Sequence, residues 1–79
     1  MDNLMTLHIY YNGKSKQERH FKISQTNYET WILYHAFWNA CGIEIYRPTF
    51  EISGLNITYK NIEDYCKAEK WLNEHKEVQ

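Results

Sequence analysis

The sequence predicts an α+β domain with the element order ββαββα, in which one antiparallel four-stranded sheet carries both helices on one face. Three patterns support this fold. Apolar residues alternate along two early segments, an aromatic segment lies between helix start and stop signals, and a second alternating region precedes a final amphipathic segment. With 79 residues and no linker, the chain is expected to form a single compact domain, residues 1–79.

The first two strands are predicted from period-two alternation in residues 5–11 and 18–23. A two-residue Asn-Gly turn between them would mix the apolar and polar faces. A register in which paired residue numbers sum to 28 instead places Leu7 opposite Phe21 and keeps one apolar face. We therefore expect a longer turn over residues 12–16.

The next segment is predicted to be an aromatic helix over residues 28–41. Thr26 and Glu29 have the spacing of a capping box, and Gly42 is a typical helix stop. A helix needs one apolar stripe, roughly 100° wide, to face its own core. This helix is apolar or aromatic almost all the way round, so we expect part of its surface to contact something besides its own sheet.

Two apolar stripes run along this helix. The stripe expected to face the core contains Leu33, Ala36, Phe37 and Ala40. The second stripe, at positions i, i+3, i+4 and i+7, contains Trp31, Tyr34, His35 and Trp38. It either packs on the last helix through Tyr65 or Trp71, or it forms an exposed patch for protein binding or self-association. Because Trp and Tyr dominate binding hot spots, we interpret this second stripe together with Trp71 as the candidate partner-binding surface.

A second hairpin is predicted within residues 43–60. Ser53-Gly54 suits a two-residue turn, which would place Phe50 opposite Ile57. Pro48 cannot donate to a sheet hydrogen bond, so the strand must kink or bulge there.

The last helix is predicted to begin after Asn61 as its cap, with acidic residues in its first turn. Its expected inner stripe consists of Ile62, Tyr65, Ala68 and Leu72.

The net charge of −1, from nine basic and ten acidic residues, gives no global attraction to nucleic acid or acidic membranes. This negative charge is also too small for a mimic of DNA.

No run of apolar residues is long enough to cross a membrane, and the first residues do not resemble a signal peptide. Cys41 and Cys66 are expected to be free thiols, which favours the cytoplasm. Neither has the electrostatic surroundings of an activated nucleophile, so an enzyme is not expected.

Two alternatives use other residues. A nucleic-acid-binding module would use the outer sheet face, with His8, Tyr10, His20 and Lys22. No cofactor is expected, since no pair of residues has the spacing of a local metal site. A zinc-stapled fold would have to draw its ligands from His8, His20, His35, Cys41, Cys66 and His75. Of these, His8 and His20 become cross-strand neighbours if the predicted register holds.

In size, compactness, composition and lack of catalytic motifs, the chain resembles the small accessory proteins encoded by phages and mobile elements. Its abundance of Asn, Lys, Ile and Tyr, with two Arg, suggests a low-GC bacterial host. Anti-CRISPR inhibitors are one such class. The resemblance implies a non-enzymatic inhibitor that blocks a larger host protein sterically, with a CRISPR effector as one candidate, in the bacterial cytoplasm. A homodimer formed through the aromatic helix would explain the excess apolar surface equally well.

Overall fold

The computed structural model describes residues 4–77 of the chain. Its elements follow the predicted order ββαββα: β1 (Leu4–Tyr11), β2 (Gln17–Ser24), α1 (Gln25–Ala40), β3 (Thr49–Glu51), β4 (Gly54–Tyr59) and α2 (Ile62–His75). The α+β class is thus confirmed.

The four strands form one sheet in the order β2-β1-β4-β3. The two hairpins are antiparallel, but the central strands β1 and β4 run parallel. The expectation of a purely antiparallel sheet is therefore wrong. Parallel neighbours need a long crossover connection, and α1 supplies it by carrying the chain from β2 to the opposite edge of the sheet.

The first hairpin has the predicted register. Leu7 pairs with Phe21 and Met5 with Ile23, so paired residue numbers sum to 28, and residues 12–16 form the connection. This register puts the apolar side chains of both strands on the face that carries the helices.

The second hairpin is shifted by two residues from its predicted register. Phe50 pairs with Leu55 rather than Ile57, and Gly54 belongs to β4 instead of the turn. A side chain on Gly54 would collide with the backbone carbonyl of Thr6, so glycine is required here for the close approach of β4 to β1. The predicted irregularity near Pro48 is confirmed.

The register of pairing with β4 changes by one residue around Pro48. Before Pro48, an isolated β-bridge pairs Ile45 with Tyr59, so the paired residue numbers sum to 104. In β3 the sum is 105, because Phe50 pairs with Leu55. One extra residue is therefore accommodated around Pro48.

The first helix begins earlier than predicted. Its N-cap is Ser24, whose hydroxyl accepts a hydrogen bond of 3.1 Å from the backbone N–H of Asn27. Thr26 lies inside the helix, so the Thr26–Glu29 capping box is wrong. Ser24 can serve as the cap because it is the last residue of β2, with extended backbone dihedral angles, directly before the helix. The helix ends as predicted before Gly42, which has a φ of +110°.

The second helix follows Asn61, which occupies the N-cap position without a side-chain cap hydrogen bond to any described residue. Three of its four predicted inner residues are buried: Tyr65, Ala68 and Leu72. Ile62 is 40% exposed, and its assignment to the inner stripe is wrong.

The core lies between the sheet and the two helices. Its buried apolar residues are Leu7, Ile9, Phe21, Ile23, Trp31, Leu55, Ile57, Tyr59, Tyr65, Ala68 and Leu72. At its margin, Arg19 on β2 donates a 3.0 Å hydrogen bond to the Glu69 carboxylate on α2. No helix within residues 4–77 is long and apolar enough to cross a membrane.

Candidate functional site

The two apolar stripes of α1 have the opposite roles from those predicted. Trp31 is completely buried and His35 is 7% exposed. The stripe assigned to the core faces outward instead, with Leu33 74% and Phe37 63% exposed. Both the assignment of Leu33, Ala36, Phe37 and Ala40 to the core and the expectation that Trp31 and His35 lie on an exposed surface are wrong.

Side-chain size explains the orientation of the helix. The inward stripe contains Trp31, His35 and Trp38 and is extended by Tyr28, which is partly buried. The outward stripe contains two alanines, Ala36 and Ala40, so it could not fill the same space. Because interiors are packed at close to crystal density, the bulkier stripe is the one that fills the gap between α1, α2 and the sheet.

Three of the other predicted partner-binding residues surround Trp31. Centroid distances from its ring are 5.1 Å to His35, 5.6 Å to Trp38 and 5.4 Å to Trp71. Tyr34, which is half exposed, lies 6.1 Å from Trp71 and completes this aromatic cluster. The cluster joins α1 to α2, as expected if the stripe packs on the last helix through Trp71. Each such ring pair adds roughly 0.5–1.5 kcal/mol beyond area burial.

His35 is the one buried polar residue of the described core, and Tyr59 is its partner. Its Nε2 atom and the Tyr59 hydroxyl share a hydrogen bond of 2.8 Å. Burial lowers the pKa of His35 to about 4, and burial together with the charge of Asp64 raises the pKa of Tyr59. Both groups are therefore neutral at pH 7, and their hydrogen bond pairs the two polar groups inside the core.

The outward face of α1, defined here as Leu33, Ala36, Phe37 and Ala40, is apolar and nearly free of charge. Glu29 is the single charged residue among the 16 of the helix, although 24% of the whole chain is charged. A solvated helix face normally carries charged side chains. Depletion of charge around large apolar residues is instead typical of the core of a protein interface.

A groove adjoins this outward face, between α1 and the edge of the sheet formed by β3 and β4. It has a volume of about 200 Å³ and is lined by Ile32, His35, Ala36, Asn39, Ile45, Pro48, Phe50, Leu55 and Ile57. Ala36 belongs to both surfaces, so the two are continuous. Sequence reasoning missed the groove because its lining comes from α1, from the segment around Pro48 and from β4, which are distant in sequence. Phe50 lines the groove together with residues of α1, yet its side chain stays largely exposed.

The outer sheet face collects the four residues of the nucleic-acid alternative. His8 and Tyr10 on β1 lie opposite His20 and Glu18 on β2, and Lys22 follows along the same face. Acidic residues stand among them. Glu18 accepts a 2.7 Å hydrogen bond from His20 Nε2–H, and Glu51 accepts one of 2.6 Å from the Asn56 side chain. The face is thus mixed in charge, with little to attract a phosphate backbone.

The six candidate metal ligands are mostly kept apart. His35 is buried against Tyr59, and the Nδ1–H of His75 donates a 2.7 Å hydrogen bond to the carbonyl of Trp71. Cys41 and Cys66 are exposed and not joined by a disulfide. Only His8 and His20 come together, in contact through their Nδ1 atoms. No group of three or more His, Cys, Asp or Glu side chains in the described part of the chain is arranged to hold a metal ion.

No protein family, curated protein or solved structure matches this chain. A function is therefore inferred from the geometry and chemistry of its own surface. Three features stand out there: the outward face of α1, the groove beside β3, and the histidine pair on the opposite side of the sheet.

Proposed function

We propose that this chain is a non-enzymatic protein-binding domain that covers the surface of a larger protein through the outward face of α1. The exposure of Leu33 and Phe37, one turn apart on a helix face whose single charged residue is Glu29, is the observation that carries the proposal. Water-exposed Leu and Phe gain about 1.5–3 kcal/mol each when fully buried. These two side chains replace Trp31 and Trp38 as the expected anchors of the contact.

The groove beside β3 gives the contact a second part. Its volume of about 200 Å³ is large enough for one bulky side chain of the partner, and its lining by Ile32, Pro48 and Phe50 favours an apolar one. Hot-spot residues of partners commonly fill such desolvated pockets. A partner with an apolar ridge and one projecting side chain would fit the combined surface.

Near-neutral charge predicts how such a complex responds to salt. The chain carries a net charge of −1, and the outward face contributes almost none of its charges. Binding would therefore depend on apolar burial and change little with ionic strength. A stable apolar contact with a larger protein blocks whatever else binds there, so steric occlusion is the mechanism that we propose.

The class of partner follows from the resemblance in size and composition to phage and mobile-element accessory proteins. We propose an anti-CRISPR-like inhibitor that acts in the bacterial cytoplasm on a host protein, with a CRISPR effector as the first candidate. This part of the proposal rests on general properties of the chain and is separable from the assignment of the contact surface.

The experiment compares two double variants in an affinity capture from low-GC bacterial lysates that express defence effectors. Leu33→Gln with Phe37→Gln changes the outward face and preserves charge. Tyr46→Gln with Ile52→Gln is the matched control, because both residues are exposed elsewhere. We expect the original chain and the control to retain one stoichiometric protein after nuclease treatment, and the outward-face variant to lose it with unchanged circular dichroism.

Two results would contradict the proposal. Equal capture by both double variants would remove the outward face of α1 as the contact. Capture that disappears with nuclease treatment, and that weakens steeply with salt, would instead favour nucleic-acid binding through His8, Tyr10, His20 and Lys22. The observation that supports this second candidate is the shared sheet face of these four side chains.

A further inference from the structure

The histidine pair on the outer sheet face has a geometry that the proposed function does not use. His8 and His20 lie directly opposite each other on β1 and β2. Their ring centroids are 4.4 Å apart, with the ring planes at 88°, and their Nδ1 atoms are in contact. Two ring nitrogens can approach in this way only if they share a proton or a cation lies between them, because two lone pairs repel each other.

Glu18 determines which nitrogen of His20 is available. The Glu18 carboxylate can only accept a hydrogen bond, so the 2.7 Å contact requires a proton on His20 Nε2. In a neutral imidazole the other nitrogen then carries the lone pair. The Nδ1 atom of His20, which points at His8, is thus available as a ligand.

We propose that His8 and His20 form a two-histidine site for Zn²⁺, coordinated by both Nδ1 atoms with solvent at the remaining positions. A carboxylate that accepts from the far nitrogen of a metal-bound histidine is the usual supporting arrangement of such sites, and Glu18 supplies it for His20. Bonds of about 2.0–2.1 Å in tetrahedral geometry would separate the two nitrogens by about 3.3 Å. The rings need only a small rotation apart, and His20 is exposed enough to make it.

The site is open on the solvent side. Within residues 4–77 no third His, Cys, Asp or Glu completes a metal-binding group with this pair, so the ion would keep exchangeable positions. It would also add a side-chain link across the first hairpin, whose strands are already paired from Leu4–Ser24 to Tyr11–Gln17. Because the site lies on the sheet face opposite the helices, it is independent of the proposed protein contact.

Calorimetric titration of the whole chain with Zn²⁺ tests the proposal. The titration is performed on a Cys41→Ser, Cys66→Ser background, because these two thiols are exposed and could bind the ion themselves. We expect one ion per chain and a melting temperature that rises by roughly 5–10 °C at saturation. His8→Gln and His20→Gln should each abolish binding, and Glu18→Gln should weaken it about 10- to 100-fold.

His75→Gln is the matched control, since His75 is engaged with Trp71 on another face, and it should bind Zn²⁺ as the background does. NMR of the metal-free chain provides a second readout, in which His20 should show the tautomer with its proton on Nε2. No saturable binding, equal binding by His8→Gln and the background, or a His20 proton on Nδ1 would each overturn the proposal.

Discussion

Two buried tyrosines differ in what their hydroxyl groups contact. The Tyr59 hydroxyl bonds to His35 Nε2, whereas the Tyr65 hydroxyl is buried without a partner among the described residues. Removing one member of a buried hydrogen bond leaves the other unpaired and costs about 1–3 kcal/mol, but removing an unpaired hydroxyl does not. We predict that Tyr59→Phe lowers the free energy of unfolding by about 1–2 kcal/mol and that Tyr65→Phe leaves it unchanged or raises it. Urea denaturation at pH 7 measures both, and equal losses would contradict the described contacts.

The pKa of His35 makes stability depend on pH. Burial lowers it from 6.5 to about 4 in the folded chain, so the unfolded chain takes up the proton first as the pH falls. His35 therefore supports stability fully above pH 6.5, and this contribution is lost between pH 6.5 and pH 4. We predict that the free energy of unfolding falls by up to about 3 kcal/mol over this range from His35 alone.

The measurement is a series of urea denaturation curves between pH 4 and pH 7. His35→Gln should be less stable at pH 7 but should show a smaller decrease toward pH 4. His75→Gln, which changes a residue at the partly exposed end of α2, should keep the decrease of the original chain. If His35→Gln showed the same decrease in the free energy of unfolding toward pH 4, the prediction would be wrong, and protonation of carboxylates alone would explain the acid sensitivity.

At the scale of elements, β4 depends on one residue without a side chain. Gly54 begins the strand and lies against the backbone of Thr6 on β1, with no room for a Cβ atom. We predict that Gly54→Ala lowers the free energy of unfolding by about 2–4 kcal/mol, because the parallel pairing must open to admit the methyl group. Ser53→Ala, one residue earlier and exposed, should change it by less than about 0.5 kcal/mol. Equal effects of the two substitutions on the thermal melt would show that β4 does not approach β1 this closely.

The elements also show what the sequence alone could predict. The shared apolar face of the first hairpin was predictable, since alternation on both strands requires paired residue numbers with an even sum, which keeps Leu7 and Phe21 on a single face. The second was not, because Gly54 serves a contact with Thr6 that is distant in sequence. The parallel pairing of β1 and β4 was not predictable either, because these two strands are distant in sequence.

The candidate site was half predictable. The sequence identifies α1 as a helix with more apolar surface than its core needs, and the structure agrees. Which stripe faces outward depends on whether Trp31 or Phe37 packs better against the aromatic rings of α2. This is a property of tertiary packing. The greater volume of the stripe that includes Trp31 and Trp38 was the available signal.

At the scale of the whole molecule, the exposed outward face and the low net charge act together. The isoelectric point is near pH 6.4, where electrostatic repulsion between copies vanishes. A stable interface needs about 800 Å² from each partner, which is about one-seventh of the 5518 Å² surface of this chain. Leu33 and Phe37 with their two alanine neighbours supply only part of that area. Contact between two copies through this face alone should therefore be weak.

We predict reversible self-association near pH 6.4 that declines at about pH 8.5, where the net negative charge grows. Sedimentation equilibrium over a range of concentrations measures it. Leu33→Gln with Phe37→Gln should remove the association without changing the charge, and Tyr46→Gln with Ile52→Gln should retain it. A dimer that persists at every pH and dilution would contradict the prediction. A second copy of the chain would then cover the outward face of α1, and the contact with a larger protein would have to be abandoned.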